Sequence, residues 1–244
     1  MKRKSAWLFL AVMGFAAACS EDEETNSISS DEAAAIVAVS LSSNGVNSIS
    51  STSADFASDA LDGDVGGRVA TCGLTESLDY TTASEPEALN TFSFDFKYAF
   101  ELKCEGDQPA ALAVGLNYTG DFNSSGYGFD CTGLATLQLD GLQSEAAAFE
   151  MNGEYKYNGT FVDKQKNQSI SSNIVMTLTD ISISKDSHLI TAGKGSYSIS
   201  GSVPSKGSFK YSGEIKFLGA GQAEVSVNGV VYVADINVGT ATKK

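Results

Sequence analysis

Between residues 92 and 104 the chain changes character at every second position. Phe92, Phe94, Phe96, Tyr98, Phe100, Leu102 and Cys104 alternate with Ser93, Asp95, Lys97, Ala99, Glu101 and Lys103. A strand turns successive side chains to opposite faces, so this pattern fits a strand with one face buried and one wet. It recurs in Leu112, Val114, Leu116 and Tyr118, and again from Tyr127, Phe129 and Cys131 to Leu137 and Leu139. Phe149, Met151, Gly153, Tyr155, Tyr157, Gly159 and Phe161 form the longest series. Their even neighbours Glu150, Asn152, Glu154 and Lys156 are expected on the wet face. Ile174, Met176 and Leu178 hold one phase, whereas Ile181 and Ile183 hold the other. One extra residue swaps the faces, so a bulge is predicted near Thr179 and Asp180. Asn228-Gly229 between two β-branched runs is a strong hairpin signal. The predicted fold is therefore mostly β: an antiparallel meander of about ten strands over residues 68–244.

A strand type is reused along this meander. The stretches 116–122, 155–161 and 209–215 each place an apolar residue, a Tyr and then a Gly at alternate positions, and 197–203 is a weaker copy. Gly in a strand lets the backbone bend, and a neighbouring ring can cover the bare backbone. The sheet is expected to be curved, up to a half-open barrel. Gly193-Lys194-Gly195 and Gly219-Ala220-Gly221 have no helix after them, so they read as hairpin turns rather than phosphate cradles.

Upstream of residue 68 the period changes. Ser29 and Ser30 precede Asp31 and Glu32, a capping sequence for a helix over 31–41, ended by Asn44-Gly45. A second short helix is predicted over 53–61. Residues 31–67 would then be a helical segment packed on the sheet. Asp62 and Asp64 flank a Gly, but the further acids of a calcium loop are missing.

Few side chains offer chemistry. His188 is the only histidine and lies in a polar turn, so a His-based metal site has no second ligand and a general base no evident partner. Lys210, Tyr155, Tyr157 and Tyr211 are the residue types of a sugar platform, but alternation puts the Tyr residues on the buried side. If residues 68–80 and 91–104 form a hairpin, Cys72 and Cys104 stand opposite each other at its open end, and a disulfide is predicted between them. Cys131 is expected to be a buried thiol. No catalytic, cofactor or metal residues are assigned.

The N-terminus carries an address. Lys2-Arg3-Lys4 is followed by an apolar run over 5–15, then Ala16-Ala17-Ala18 and Cys19. The run is too short for a membrane span. This order resembles a bacterial lipoprotein signal, although Ala16 stands where Leu or Val is more usual. The resemblance implies a signal peptide over 1–18, cut so that Cys19 becomes the lipidated first residue. Glu21, Asp22, Glu23 and Glu24 follow directly, which resembles the acidic export signal of Bacteroidota surface lipoproteins. Residues 19–30 then read as an acidic, Ser-rich tether with nothing to bury. The implied location is the cell envelope, lipid-anchored in the outer membrane, facing either the medium or the periplasm.

After such a cut thirteen basic and thirty acidic residues remain, a net charge of −17. That charge repels nucleic acid and anionic membranes, so attachment must come from the lipid. The expected function is non-enzymatic: a structural or partner-binding envelope protein, its partner a protein or a glycan. A periplasmic carrier of hydrophobic ligands is the alternative, provided the curved sheet leaves an open apolar groove. A glycan-active enzyme is a weaker one, requiring two acids in a cleft among aromatic rings.

Overall fold

The computed structural model describes residues 27–244, apart from positions 43, 44, 63, 66, 67, 70, 86, 144 and 166. Cys19, the signal segment and most of the expected tether lie outside the described residues. Helix α1 spans Ser30–Leu41 and α2 spans Val46–Leu61. A two-stranded ladder, β1 (Asp64–Val65) and β2 (Arg68–Val69), follows. The remaining strands form one open antiparallel sheet in sequence order. They are β3 (Thr75–Ala83), β4 (Thr91–Glu105), β5 (Gln108–Asn123), β6 (Tyr127–Asp140), β7 (Ala148–Asp163) and β8 (Gln168–Ser184). Then come β9 (Ile190–Val203), β10 (Gly207–Gly219), β11 (Gln222–Val227), β12 (Val230–Asp235) and β13 (Thr240–Lys243).

Local chemistry explains the elements. Ser29 caps α1 in a capping box: its Oγ accepts from Glu32 N–H at 3.2 Å, and Glu32 Oε2 accepts from Ser29 N–H at 2.8 Å. Ser27 and Ile28, inside the expected tether, are already docked. Ile28 is buried, and Ser27 N–H donates to Ser208 O at 3.0 Å. Helix α2 begins seven residues before the predicted start. Val46, Ile49, Ser50, Ser53, Ala54, Ala57 and Ala60 make its buried face. Ser50 can be buried because its Oγ donates to Val46 O at 2.8 Å, one turn back.

The predicted bulge is present. Met151 faces Ile181 and Gly153 faces Leu178, so β8 carries one extra residue at Thr179–Asp180. Asp180 takes φ +52° there, and its N–H is held by Asn152 Oδ1 at 2.8 Å. Leu178, Ile181 and Ile183 are all buried as a result. Gly193 and Gly195 are not a hairpin turn; they lie within β9, beside the bulge. A Cβ on Gly193 would stand 2.7 Å from Ile181 Cα, so glycine is required by the close approach of the bulged strand. Gly219-Ala220-Gly221 is a turn as expected.

The disulfide joins Cys72 to Cys104, with Cα atoms 5.6 Å apart. Thr75 pairs with Glu101, and continuing that register places Cys72 opposite Cys104. Closing a loop of this length stabilises by about 3–4 kcal/mol in the chain-entropy account.

The inner face of the sheet and both helices share one apolar core. Helix α1 packs on β11, β12 and β13, and α2 on β5, β6 and β7. A single sheet reaching both helices must coil around them. Glycine and aromatic residues make that curvature. Phe94 lies over its partner Gly120, Tyr118 over Gly133, Phe209 over Gly201 and Tyr197 over Gly213. The inner face is buried unevenly along β7. Phe149, Met151 and Tyr155 are buried, Tyr157 is half-buried, and Phe161 is 37% exposed. Glu150 and Glu154 are exposed, with Asn152 and Lys156 half-exposed between them.

Candidate functional site

Strands β4 to β9 turn two adjoining rows of small polar residues to the outer face. Asp95, Thr119, Thr132, Asn158, Asn173 and Ser200 are successive cross-strand partners. Ser93, Asp121, Asp130, Thr160 and Ser171 form the next row. Between them runs the inward-facing row that contains Gly120, Gly159 and Gly201, whose backbone forms the floor of a hollow on the outer surface. The hollow measures about 650 Å³ and no aromatic residue among those described lines it. A neighbouring hollow of about 800 Å³ shares Asp95, Thr119, Thr132 and Asn158 with it. Among the further residues of that second hollow are Asp79, Lys97 and Lys156, with Tyr80, Phe96 and Tyr118.

Cross-strand spacing sets these groups roughly 4.8 Å apart on a rigid support. Hydroxyls and amides both donate and accept, so the surface suits a polar ligand rich in hydrogen-bonding groups. Asp121 and Asp130 face each other directly, an arrangement that destabilises a bare sheet through like-charge repulsion. Thr81 Oγ1 donates to Asp95 Oδ1 at 2.5 Å. Lys156 pairs with Glu154 at 2.6 Å.

Cys131 sits beneath the hollow on the inner face, buried and unbridged. Burial, then the charges of Asp130 and Asp121, push its thiol up to about 12, so the thiolate needed of a nucleophile is not formed near neutrality. The tyrosines weighed as a sugar platform belong to the core: Tyr155 and Tyr211 are buried, and Tyr155 Oη is bonded to Tyr118 Oη at 2.5 Å.

His188 does have partners, which the sequence did not disclose. Its Nδ1 is bonded to Asp55 Oδ1, and its Nε2 lies 3.0 Å from Ser58 Oγ. Asp55 and Ser58 stand one turn apart on α2, and His188 reaches them from the turn between β8 and β9 across 130 residues of chain. The connectivity is that of a Ser-His-Asp relay, but Ser58 lies inside a helix. The amides beside it are directed at carbonyls one turn back, which leaves no oxyanion donors next to the hydroxyl. The arrangement clasps α2 to the β8–β9 turn. His188→Ala will lower stability by about 1–2 kcal/mol through two lost hydrogen bonds, measured by urea unfolding. Ser58→Ala will cost less, because the bond to Asp55 remains.

Among the described residues no group of three or more His, Cys, Asp or Glu side chains is arranged to hold a metal ion. No known family model, curated protein or solved structure matches this chain. The outer hollow, the helix clasp and the order of residues 2–19 are the features that bear on function.

Proposed function

We propose that the protein is a lipid-anchored, non-enzymatic component of the cell envelope, held at the outer membrane by Cys19, whose β domain binds a partner or ligand. The observation that carries this reading is the order of residues 2–19: a basic start, an apolar run, three Ala and a Cys. The short stretch of sequence between Cys19 and Ser27, which bonds to Ser208, supports it, because a lipid on Cys19 lies within a few residues of the domain. The polar outer hollow supports a hydrogen-bonding partner, a glycan or a peptide, over an apolar ligand. A carrier of hydrophobic ligands would need an open inner groove, whereas Phe94 and Phe96 are buried there among neighbouring rings and Phe149 is buried in the same core.

Cys19→Ser will leave the β domain folded and release the protein from membranes. Each buried CH₂ of acyl chain contributes about 0.8 kcal/mol to attachment, and the variant carries none. Palmitate labelling of wild type and variant, with fractionation of both, reads the result. A variant that pellets with membranes as strongly as wild type would refute the anchor.

A further inference from the structure

One rim of the sheet carries the turns at 84–90, 124–126, 164–167 and 204–206. Just inside that rim, on the inner face, Phe92, Phe122, Phe129, Phe161 and Ile170 are successive cross-strand partners. The first three are half-buried and Phe161 is exposed. Helix cover lies farther along the strands, where Gly45 meets Tyr155 and Ser50 meets Met151. Leu89, in the 84–90 turn, is 97% exposed. A row of rings bordered by a bare Leu is a costly surface to leave in water. Phe and Leu side chains bury favourably at the boundary between lipid headgroups and acyl chains.

Ser27 and Ile28, the first described residues, lie toward the same rim. Tyr211 Oη donates to Ile28 O at 2.5 Å, and Ser27 N–H donates to Ser208 O. Moving back from Ile28 to Ser27 therefore leads from the level of Tyr211 to that of Ser208, toward the 204–206 turn. Ser208 pairs with Ser202, and Ser202 with Ser171, one residue from Ile170. Seven residues separate Cys19 from Ser27, a reach of at most about 28 Å. The opposite rim lies a strand length away, and the 17 residues of β8 alone cover roughly 55 Å. A tether of that reach brings the aromatic rim to the bilayer, and the opposite rim touches it only if the sheet lies on its side.

We infer that the aromatic rim, Phe92, Phe122, Phe129 and Phe161 with Leu89, docks on the bilayer that holds the acyl chains of Cys19. The inference rests on the lipoprotein reading above. Attraction comes from the rings and not from charge, since the chain is strongly acidic, so the fitting surface is one of zwitterionic headgroups. Docking holds the strands upright and sets the outer hollow just above the headgroups, since Ser93, Asp121, Asp130 and Thr160 of the hollow are chain neighbours of the ring row.

Trp7 is the only tryptophan and lies in the signal segment, so a single Trp placed in the domain reports alone. Phe161→Trp and, at the opposite rim, Leu189→Trp are made in the full lipidated chain and reconstituted into phosphatidylcholine vesicles with brominated acyl chains. Emission from Phe161→Trp is expected to fall at least twofold relative to unbrominated vesicles, with Leu189→Trp unchanged. Equal quenching of the two, or none in either, overturns rim docking. Leu89→Trp, on the exposed turn, gives the same readout should Phe161→Trp fail to fold. Flotation of wild type with the same vesicles reads the anchor separately. A chain that does not float overturns the lipoprotein reading and this inference with it, whereas a floating chain with an unquenched rim overturns this inference alone.

Discussion

Raising the pH above about 10 will unfold the domain in one cooperative step. Burial pushes the Tyr98 hydroxyl up to about 12, and burial likewise raises Tyr118, Tyr155, Tyr157 and Tyr197. Tyr98 Oη lies near Thr52, Tyr80 and Ser48 without a well-aligned hydrogen bond, so nothing there favours its ionised form strongly. Below pH 10 these phenols are neutral in both folded and unfolded chains and contribute no pH dependence. Above pH 10 the unfolded chain releases their protons and the folded chain keeps them. Stability therefore falls as pH rises, until the folded-state values are passed. Each phenol removes about 1.4 kcal/mol per pH unit. Five acting together exhaust a typical stability of about 5–15 kcal/mol within roughly two units. Tyrosinate absorbance and far-UV circular dichroism should change at the same pH. Smooth titration of all tyrosines near pH 10, with the sheet intact, would contradict the packing described.

Gly213→Ala will destabilise the sheet by about 3 kcal/mol or more, whereas Gly115→Ala will be close to neutral. A Cβ on Gly213 would stand 1.9 Å from Ser226 O and 2.9 Å from the Tyr197 ring. Neither neighbour can retreat. Tyr197 Oη donates to Ser226 O at 2.8 Å, and Glu214 N–H donates to Ser226 Oγ at 2.9 Å, so Ser226 is tied on both sides. Relief requires moving β10 away from β11, the kind of overpacking that costs several kcal/mol. A Cβ on Gly115 meets only Ala99, its Cβ at 3.8 Å and its carbonyl oxygen at 3.9 Å, and Ala restricts the unfolded chain more than Gly does. Denaturant melts of the two variants separate a glycine required by contact from one that is merely present.

Much of this fold was legible because it depends on neighbours in sequence. The alternation from Phe92 to Cys104 gave β4, the Ser29–Glu32 pair gave α1, and a change of phase gave the bulge at Thr179–Asp180. Asn228 and Gly229, with φ of +49° and +76°, make the hairpin turn that their identities predict. What escaped depends on distant partners. The first half of α2 was missed because Ser disfavours helix interiors until its hydroxyl bonds to the preceding turn, as Ser50 does. Gly193 and Gly195 resembled a turn, and only the bulge on β8 explains them as strand. The full burial expected of the Phe149 to Phe161 series failed at its end, because periodicity assigns a face without saying how far the helices cover it. Nothing near His188 in sequence points to Asp55 and Ser58.

The meander order bears on how the chain is made. Each strand of the large sheet pairs with the strand just before it, so the sheet can grow as the polypeptide emerges, without waiting for distant segments. Helix α1 is the exception. It packs on β11, β12 and β13, and Tyr232 Oη reaches Asp31 Oδ1 at 2.6 Å across 201 residues. The first helix of the domain finds its cover only when the last strands arrive. A chain halted short of β11 would carry a nearly finished sheet and an α1 without its sheet cover, so the arrival of β11 to β13 is what joins the two ends of the meander.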